Sequence, residues 1–323
     1  MKAAAYIGGV LGLALLLTLV VRSDMPAMLQ TLAEAGWRLL WLAPYRAVFF
    51  LCYALGWRVL LSACDPHSRA GIGYLFWVTT VREGVDRLLP VASVGGSVIA
   101  VRLLRWRDLA APMVAATVIV EILLTLIVVY VFTAVGLIWL LHLNASGSEI
   151  HRVLLGLVLS LPVPVGFGLL LRYGSVFRRF ESALRPLVGA ASWADGAATL
   201  DRELRGLLRR TGSLISAGGL QFAAFVSGAF EVWLVLRLFG HPVGVGVAIT
   251  LESMTQAVRH LAFIIPAGLG VQEAGLMLFG HALGVSGELA LALSMAKRMR
   301  EVLCGLPALL SWQWLEARRL RTR

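Results

Sequence analysis

Long apolar runs dominate the chain and predict membrane-spanning helices. A helical crossing needs roughly 20 mostly apolar residues, and runs near that length recur along the sequence. Residues 3–21 follow Lys2 and lack a small-residue cleavage site at their end, so they predict an uncleaved span rather than a signal peptide. Trp37, Trp41 and Trp57 surround or enter the second run and are predicted to lie at the membrane interfaces. The predicted full spans are residues 3–21, 38–62, 112–141, 153–171, 211–238 and 288–314.

Two further stretches, residues 72–100 and 243–284, are apolar but interrupted. Each has a polar or charged cluster, an aliphatic pair, a proline, a glycine-containing turn and then renewed apolar sequence. Proline removes a backbone donor and glycine permits unusual dihedral angles, so each helix is expected to break there. A broken helix at membrane depth survives only where protein or a water-filled cavity shields its backbone. The pattern therefore predicts two broken or re-entrant helical hairpins.

The distribution of arginine predicts the orientation of the spans. Residues 101–110, 172–210 and the segment after Trp314 are rich in arginine, whereas residues 142–151 contain neither lysine nor arginine. Because cytoplasmic loops concentrate basic residues, both termini and these arginine-rich segments are predicted to be cytoplasmic. With six full spans, the first hairpin then opens toward the cytoplasm and the second toward the opposite side, which is the arrangement of an inverted repeat.

The predicted fold class is an all-α polytopic integral membrane protein with about six full spans and two broken or re-entrant hairpins in an inverted repeat. Leucines share one face of the segment before residue 210, which predicts an amphipathic helix that either lies at the membrane interface or packs between the halves. A single transmembrane domain, 1–323, is divided into a first half (1–171, with hairpin 72–100), a cytoplasmic amphipathic connector (172–210), a second half (211–315, with hairpin 243–284) and a basic cytoplasmic tail (316–323).

Composition supports the membrane interpretation. Hydrophobic residues make up 59% of the chain and charged residues 15%, and the mean hydropathy is +0.83. Soluble domains carry about 25% charged residues, so a large cytosolic enzyme, a secreted disulfide scaffold and a disordered regulator are all disfavoured. The net charge of +11 would suggest nucleic acid in a soluble protein. Here the positive-inside rule accounts for it, and no nucleic-acid partner is expected.

A minority of charges lie inside the apolar stretches and are the candidate functional residues. Ionisable groups at membrane depth are costly and usually face a protein interior or a water-lined path. Glu83 with Arg87, and Arg82 with Asp86, are four residues apart and able to pair along a helix. The candidate substrate-binding and transport residues are Glu83, Asp86, Arg87, Pro90, Gly95, Gly96, Glu121, Arg259, His260, Pro266, Gly268, Gly270, Glu273, Arg298 and Glu301.

The arginines among these candidates suit a phosphate or another anion. The glutamates suit cationic headgroup parts or protons, and a polar cavity between the hairpins would accept a lipid headgroup while the tails stay in the bilayer. The alternative is that the charges only neutralise one another and hold helices together. Cys52, Cys64 and Cys304 form no metal-binding pattern. No catalytic residue, metal or cofactor is expected.

The two interrupted stretches also carry a family resemblance. Residues 81–96 and 265–273 resemble the lysylphosphatidylglycerol synthase transmembrane superfamily, and within it the HpnL-like membrane proteins associated with hopanoid biosynthesis. The resemblance implies a bacterial inner-membrane protein that moves, or helps to move, a lipid across the bilayer. In bifunctional relatives this module flips an aminoacylated phospholipid that a separate soluble domain synthesises. The 323 residues contain no such domain, so synthase activity is not expected.

Three functions stay open at this point. The first is a lipid flippase or transporter working by alternating access, for hopanoids or a related lipid or phospholipid, and the expected lipid partners include anionic phospholipids. The second is a polytopic lipid-modifying enzyme, although the sequence has no DxD, no HxxxH and no GxxxxGK[ST] phosphate loop. The third is an accessory protein of hopanoid or envelope-lipid biosynthesis that moves no lipid. Membrane lipids are the expected partners, and a homodimer or an association with lipid-biosynthesis enzymes fits each alternative.

Overall fold

The helices follow the apolar runs of the sequence. The computed structural model describes residues 25–62, 69–89, 95–142, 162–173, 192–262 and 268–321, together with positions 18, 65, 67, 155 and 265. Throughout these ranges every regular element is a helix. The α-helices are α1 (Met25–Ala35), α2 (Leu42–Leu61), α3 (Ile72–Leu88), α4 (Gly95–Leu104), α5 (Ala111–His142), α6 (Pro162–Tyr173), α7 (Ser192–Leu208), α8 (Thr211–Leu238), α9 (Val245–Leu261), α10 (Val271–Ala282) and α11 (Gly287–Arg321), and Gly36–Trp41 and Arg105–Arg107 are 3₁₀ helices.

Three helical segments in the described ranges are long and apolar enough to cross a membrane: Met25–Leu61, Ala111–His142 and Thr211–Leu238. They correspond to the predicted spans 38–62, 112–141 and 211–238. The predicted span 288–314 lies within α11, whose apolar sequence is interrupted by four charged residues at 297–301. The predicted span 3–21 lies outside the described residues except for position 18, and so does most of 153–171, of which α6 covers the end. The described part of the chain is thus all-helical, with three helical segments that are long and apolar enough to span a membrane.

Both predicted helix breaks are present. Helix α3 ends at Leu88, and Leu89 is extended (φ −101°, ψ 147°), the conformation that a residue before a proline favours. In the second stretch α9 ends at Leu261, and α10 begins only after Gly268 and Gly270, whose φ angles of 60° and 72° are in the left-handed region. The two prolines of these breaks, Pro90 and Pro266, lie outside the described residues.

The two hairpins lie near different ends of α5. Near the start of α5, the Tyr74 hydroxyl of α3 donates to the carbonyl oxygen of Leu103 in α4 at 2.6 Å, so the two arms of the first hairpin meet there. At the far end of α5, Gly246 of α9 packs so closely on Trp139 that an added Cβ would come within 2.6 Å of the ring. Leu283, just after α10, packs with Leu137 and Leu140 at this same end. Helix α5 has 32 residues and is therefore about 48 Å long.

The interior consists of two main apolar clusters, one built mostly from α2–α7 and the other mostly from α1 and α8–α11. Helices of the two halves pack on each other in a reciprocal way. Helix α3 of the first hairpin packs on α11, and α9 of the second hairpin packs on α5. Helices α2 and α8 make the most extensive contact between the halves. Each hairpin therefore packs one of its helices on a helix of the other half.

The contact between α3 and α11 depends on two glycines. A Cβ on Gly84 would lie 3.1 Å from the carbonyl oxygen of Gly305, and a Cβ on Gly305 would lie 2.8 Å from a methyl group of Leu88. Small residues let helix backbones approach closely, which is how many membrane helices pack. This close contact lies directly beside the charged segments of both helices.

Two sequence predictions change with the packing. Trp57 is 1% exposed and its Nε1–H donates to the Thr117 hydroxyl at 3.1 Å, so it packs inside the bundle and does not face lipid as an interface anchor would. A buried indole needs such a partner, and α5 supplies one. Trp37 and Trp41 are exposed, as an interface position requires. In the connector, Leu204 and Leu207 of α7 are buried in the first cluster, so this face packs on α5 rather than being left for lipid.

Candidate functional site

A buried arginine of α2 begins the charged region. Arg46 is 8% exposed, and its guanidinium lies 3.5 Å from the centroid of the Phe49 ring. Its Nη2–H donates to Glu83 Oε1 at 3.0 Å, and its Nη1 lies 3.6 Å from Glu231 Oε2. The guanidinium of Arg46 in α2 therefore lies between a carboxylate of α3 and a carboxylate of α8. A single positive charge here would be costly without them.

The ion pairs continue from α3 to α11. Arg87 Nε donates to Glu83 Oε1 at 3.3 Å, which is the helical pair that the sequence predicts. The same nitrogen lies 3.8 Å from Glu301 Oε1. Arg300 lies 3.2 Å from Glu231 and 3.8 Å from Glu301. Every carboxylate of this group is thus shared between two or more arginines.

Arg298 extends the same set of ion pairs to the second hairpin. It donates to Glu301 Oε2 at 3.3 Å and to Glu273 Oε1 at 3.2 Å, and its Nη2 donates to the carbonyl oxygen of Gly268 at 3.2 Å. We call the connected set the charged network. It contains four arginines and four glutamates from five helices and is neutral as a whole: Arg46, Glu83, Arg87, Glu231, Glu273, Arg298, Arg300 and Glu301.

Arg259 joins the network through hydrogen bonds instead of an ion pair. Its Nη1 donates to Gln272 Oε1 at 2.7 Å. The Gln272 amide donates to the Ser294 hydroxyl at 2.8 Å, and that hydroxyl donates to Glu273 Oε1 at 2.7 Å. All four side chains are buried. Among the described residues no carboxylate lies within 4.0 Å of Arg259, so its charge is balanced only through this chain of polar groups.

Two atoms at the second helix break have unused hydrogen-bonding capacity. Arg259 Nη2 and Glu273 Oε2 are buried and have no hydrogen-bond partner among the described residues. Gly268 lies beside the guanidinium, where an added Cβ would come within 3.3 Å of Arg259 Nε. A buried unsatisfied donor or acceptor costs about 1–3 kcal/mol. The site is therefore suited to a ligand that offers an anionic oxygen to Arg259 and a hydroxyl or ammonium group to Glu273.

The polar cavity predicted between the hairpins is nearly closed at the charged network. A cavity of about 10 Å³ adjoins Arg46, Glu83, Arg300 and Glu301, and this is room for about one water molecule. The side chains contact one another directly, so their ion pairs occupy the space that a headgroup would need. In this conformation the network joins five helices through direct ion pairs.

Glu121 is separate from the charged network. Its Oε2 accepts from Arg82 Nη1 at 2.6 Å, so a residue with no basic partner nearby in sequence has one from α3. The helical pair between Arg82 and Asp86 is not formed. Asp86 instead accepts a hydrogen bond from the backbone N–H of Gly96 at 2.8 Å. Gly96 is required there, because an added Cβ would come within 2.5 Å of the Arg82 carbonyl oxygen.

The remaining candidates have structural positions. His260 Nδ1 lies 2.8 Å from the carbonyl oxygen of Gln256, one turn earlier in α9. Gly95 begins α4, and Gly270 directly precedes α10. The structure thus brings Glu83, Arg87, Glu273, Arg298 and Glu301 together, with Arg259 and Gly268 beside them, whereas Asp86, Gly96 and Glu121 lie in other contacts.

Arg46, Glu231 and Arg300 belong to the network but are missing from the predicted site. The sequence feature that could have identified them is a single charged residue within an apolar span, because such a residue normally faces the protein interior. Arg46 and Glu231 fit that description in α2 and α8. A further buried pair, Glu252 with Lys297, joins α9 to α11. The two residues are far apart in sequence, so helical spacing does not predict that they pair.

Comparison with known protein families identifies this chain's family. The family model described as Lysylphosphatidylglycerol synthase TM region matches residues 6–307. No curated protein and no solved structure matches the chain. The matched range includes both hairpins, the charged network and Arg259.

Proposed function

The chain belongs to the lysylphosphatidylglycerol synthase TM-region family, and from this membership we propose that it moves a lipid across a membrane by passing the headgroup between its two broken hairpins. The buried charges at the second helix break carry the proposal. Arg259 Nη2 and Glu273 Oε2 have no hydrogen-bond partner among the described residues, and Glu273 belongs to the neutral set of eight charged side chains that Arg259 adjoins. Intramembrane charges are costly and ordinarily mark the pathway of a substrate or ion.

The headgroup would bind at the start of α10. An anionic oxygen there would accept hydrogen bonds from Arg259 Nη2 and from the amide groups at the start of the helix, whose dipole favours negative charge. Arg298 lies on the other side of Gly268. A hydroxyl or ammonium group of the same headgroup would donate to Glu273 Oε2. Discontinuous helices near the membrane midplane form the substrate sites of many transporters.

The inverted repeat is part of the same proposal. The arms of the first hairpin meet near the start of α5, and the second hairpin packs on α5 near its end. The reciprocal packing of α3 on α11 and of α9 on α5 agrees with two halves related by an approximate two-fold axis. These contacts support alternating access, in which one half rocks against the other around the site.

The orientation and location are also proposed. We place the chain in a bacterial inner membrane with both termini in the cytoplasm. Two segments predicted to be cytoplasmic are in contact, because Arg102 of α4 pairs with Glu316 of α11 and Arg319 lies over the Trp106 ring. A shared basic end agrees with the positive-inside rule. A homodimer and association with lipid-biosynthesis enzymes stay predictions from the sequence.

The charges favour an anionic phospholipid as substrate. A phosphate fits Arg259 and Arg298, and a polar substituent on it fits Glu273. A hopanoid would use the same site only through a polar headgroup, because its ring system offers neither charge. A hopanoid with a polar headgroup is the second candidate substrate, because the sequence resembles the HpnL-like proteins.

Leaflet exchange in proteoliposomes tests the function. The full chain is reconstituted with headgroup-labelled phosphatidylglycerol, and a membrane-impermeant quencher reports how much label reaches the outer leaflet. We expect exchange well above protein-free vesicles, and a loss of about tenfold or more for Arg259→Gln, as removal of a charged hydrogen bond implies. The matched control is Arg237→Gln, which removes an exposed arginine at the end of α8.

The other outcomes select the alternatives. A labelled lipid whose headgroup is chemically changed would identify a lipid-modifying enzyme. Vesicles without exchange or chemical change, together with a Glu273→Gln variant that has no phenotype in cells, would favour an accessory protein. If Arg259→Gln and the unmodified chain exchange lipid at the same rate, transport does not use the second hairpin, and the proposed route is refuted.

A further inference from the structure

A groove lies between α3 and α11 at the end of both helices away from the charged network. Its volume is about 720 Å³, which is within the range of small-molecule sites. The Trp77 Nε1–H donates to the Ser311 hydroxyl at 2.9 Å and connects the two helices beside it. Ten residues of α3 separate Trp77 from Arg87, so about 15 Å of helix divides the groove from the network.

One side of the groove is aromatic. The ring centroids of Tyr74 and Trp77 are 5.5 Å apart, and those of Trp77 and Trp106 are 6.5 Å apart. Tyrosine and tryptophan are the residues that membrane proteins concentrate at the level of the lipid headgroups, because one part of each ring system is apolar and another is polar. The aromatic side thus has the chemistry of a headgroup-level surface.

Three arginines line the same groove: Arg107, Arg318 and Arg319. The Arg107 guanidinium lies 4.5 Å from the centroid of the Tyr74 ring, and that of Arg319 lies 5.0 Å from the centroid of Trp106. A guanidinium stacked on a ring keeps its N–H groups in its own plane, where they donate to an oxyanion at the side. The rings therefore hold the arginines in place for such a ligand.

The acidic residues nearby leave the groove positively charged. Glu316 already pairs with Arg102 and accepts a hydrogen bond from Trp312 Nε1 at 3.1 Å. Segments 101–110 and 315–321, which contribute to the groove, together contain six arginines and two acidic residues, Asp108 and Glu316. A groove of this charge attracts anions, and at headgroup level the abundant anion is the phosphate of an acidic phospholipid.

We infer that this groove binds the headgroup of an anionic phospholipid from the same leaflet, as a site separate from the charged network. The phosphate contacts Arg107 and Arg319, the glycerol part lies on Tyr74 and Trp106, and the acyl chains extend along the apolar surface toward Leu315. Binding here does not depend on the proposed transport, since the site needs neither hairpin to move. A lipid held at this position links the 3₁₀ helix Arg105–Arg107 to the end of α11.

A titration in detergent tests the site. The purified full chain is titrated with dihexanoyl phosphatidylglycerol, and with dihexanoyl phosphatidylcholine as the zwitterionic comparison, while tryptophan fluorescence reports binding. We expect clear preference for phosphatidylglycerol. The double variant Arg107→Gln/Arg319→Gln is expected to bind it about tenfold or more weakly, as the loss of two arginines near a lipid surface implies. Arg237→Gln is the matched control, because its guanidinium also lies 5.2 Å from a tryptophan ring centroid, that of Trp233.

Three results would overturn the inference. The first is equal affinity of the unmodified chain for the two lipids, a comparison that needs no variant to fold. The second is an equal loss in the Arg237→Gln control, which would indicate general attraction between a basic protein and an acidic lipid. The third is binding of inorganic phosphate as tight as that of phosphatidylglycerol, which would assign the groove to a free anion. Transport is not measured, so failure of the proposed function leaves this result unaffected.

Discussion

Replacing Arg46 by methionine tests whether the charged network is held by the balance of its charges. The substitution removes one of four arginines and keeps an unbranched apolar side chain of similar length over Phe49. Four carboxylates then face three guanidinium groups in a buried region. The excess is one negative charge, shared mainly by Glu83 and Glu231, the two partners of Arg46.

The expected loss is at the low end of the range for buried ion pairs. Removing one partner of a buried pair costs about 3–5 kcal/mol of unfolding free energy. Neither partner of Arg46 loses its last arginine, because Glu83 keeps Arg87 at 3.3 Å and Glu231 keeps Arg300 at 3.2 Å. We therefore expect about 3 kcal/mol for Arg46→Met. Adding Glu231→Gln restores neutrality and is expected to recover about 2 kcal/mol, a typical coupling between contacting residues.

Thermal unfolding in detergent, followed by tryptophan fluorescence, measures both effects. With about 2 °C for each kcal/mol, Arg46→Met should lower the Tm by about 6 °C, and the double variant should regain most of that shift. The matched control is Arg58→Met, which removes an exposed arginine from the same helix. A Tm for Arg46→Met within 1 °C of that control, or strictly additive shifts in the double variant, would refute the reasoning from charge balance.

Three more predictions follow from single contacts, each measured as a change in Tm. Gly84→Leu should lower the free energy of unfolding by about 1–3 kcal/mol, because the larger side chain forces α3 away from α11. The control Gly73→Leu lies on the same helix with open space around it and should change the Tm little. Equal losses of stability in the two variants would contradict the close contact at Gly84. Arg82→Met should lower the free energy of unfolding by about 3 kcal/mol, because it leaves buried Glu121 unpaired. The reversed pair Arg82→Glu/Glu121→Arg should recover part of this loss, and no recovery would indicate that the two side chains do not interact. Trp57→Phe should cost about 1 kcal/mol through the lost hydrogen bond to a threonine hydroxyl, and an unchanged Tm would contradict that bond.

Local sequence signals predicted the helices and their breaks well. Runs of about 20 apolar residues mark spans because a membrane helix must satisfy its backbone internally and present apolar side chains to lipid. The break before Gly95 and the break before Val271 follow from proline and glycine chemistry, which acts within a few residues. The pairs Glu83–Arg87 and Arg298–Glu301 were equally accessible, since helical spacing alone brings them together.

Contacts between distant helices could not be predicted in this way. Arg82 has the same helical spacing to Asp86 as Glu83 has to Arg87, yet it pairs with Glu121 because the fold brings that carboxylate of α5 within reach of its guanidinium. Asp86 is then left to hold the backbone of Gly96. Arg46 and Glu231 are 185 positions apart, and only the packing of α2 on α8 joins them. Pairing partners in a bundle are set by which helices meet, and the sequence of one helix does not contain that information.

The order of the charged network along the chain bears on how the protein is inserted during synthesis. Arginine and glutamate nearly alternate, so the running charge of the set never exceeds one elementary charge of either sign as the residues emerge. The part of this set that has been synthesised therefore never carries a net charge of more than one, and the set reaches its final neutrality only with the last residue. At 5–20 residues per second, about 10–50 s separate the first member from the last. The residues emerge in the order Arg46, Glu83, Arg87, Glu231, Glu273, Arg298, Arg300 and Glu301.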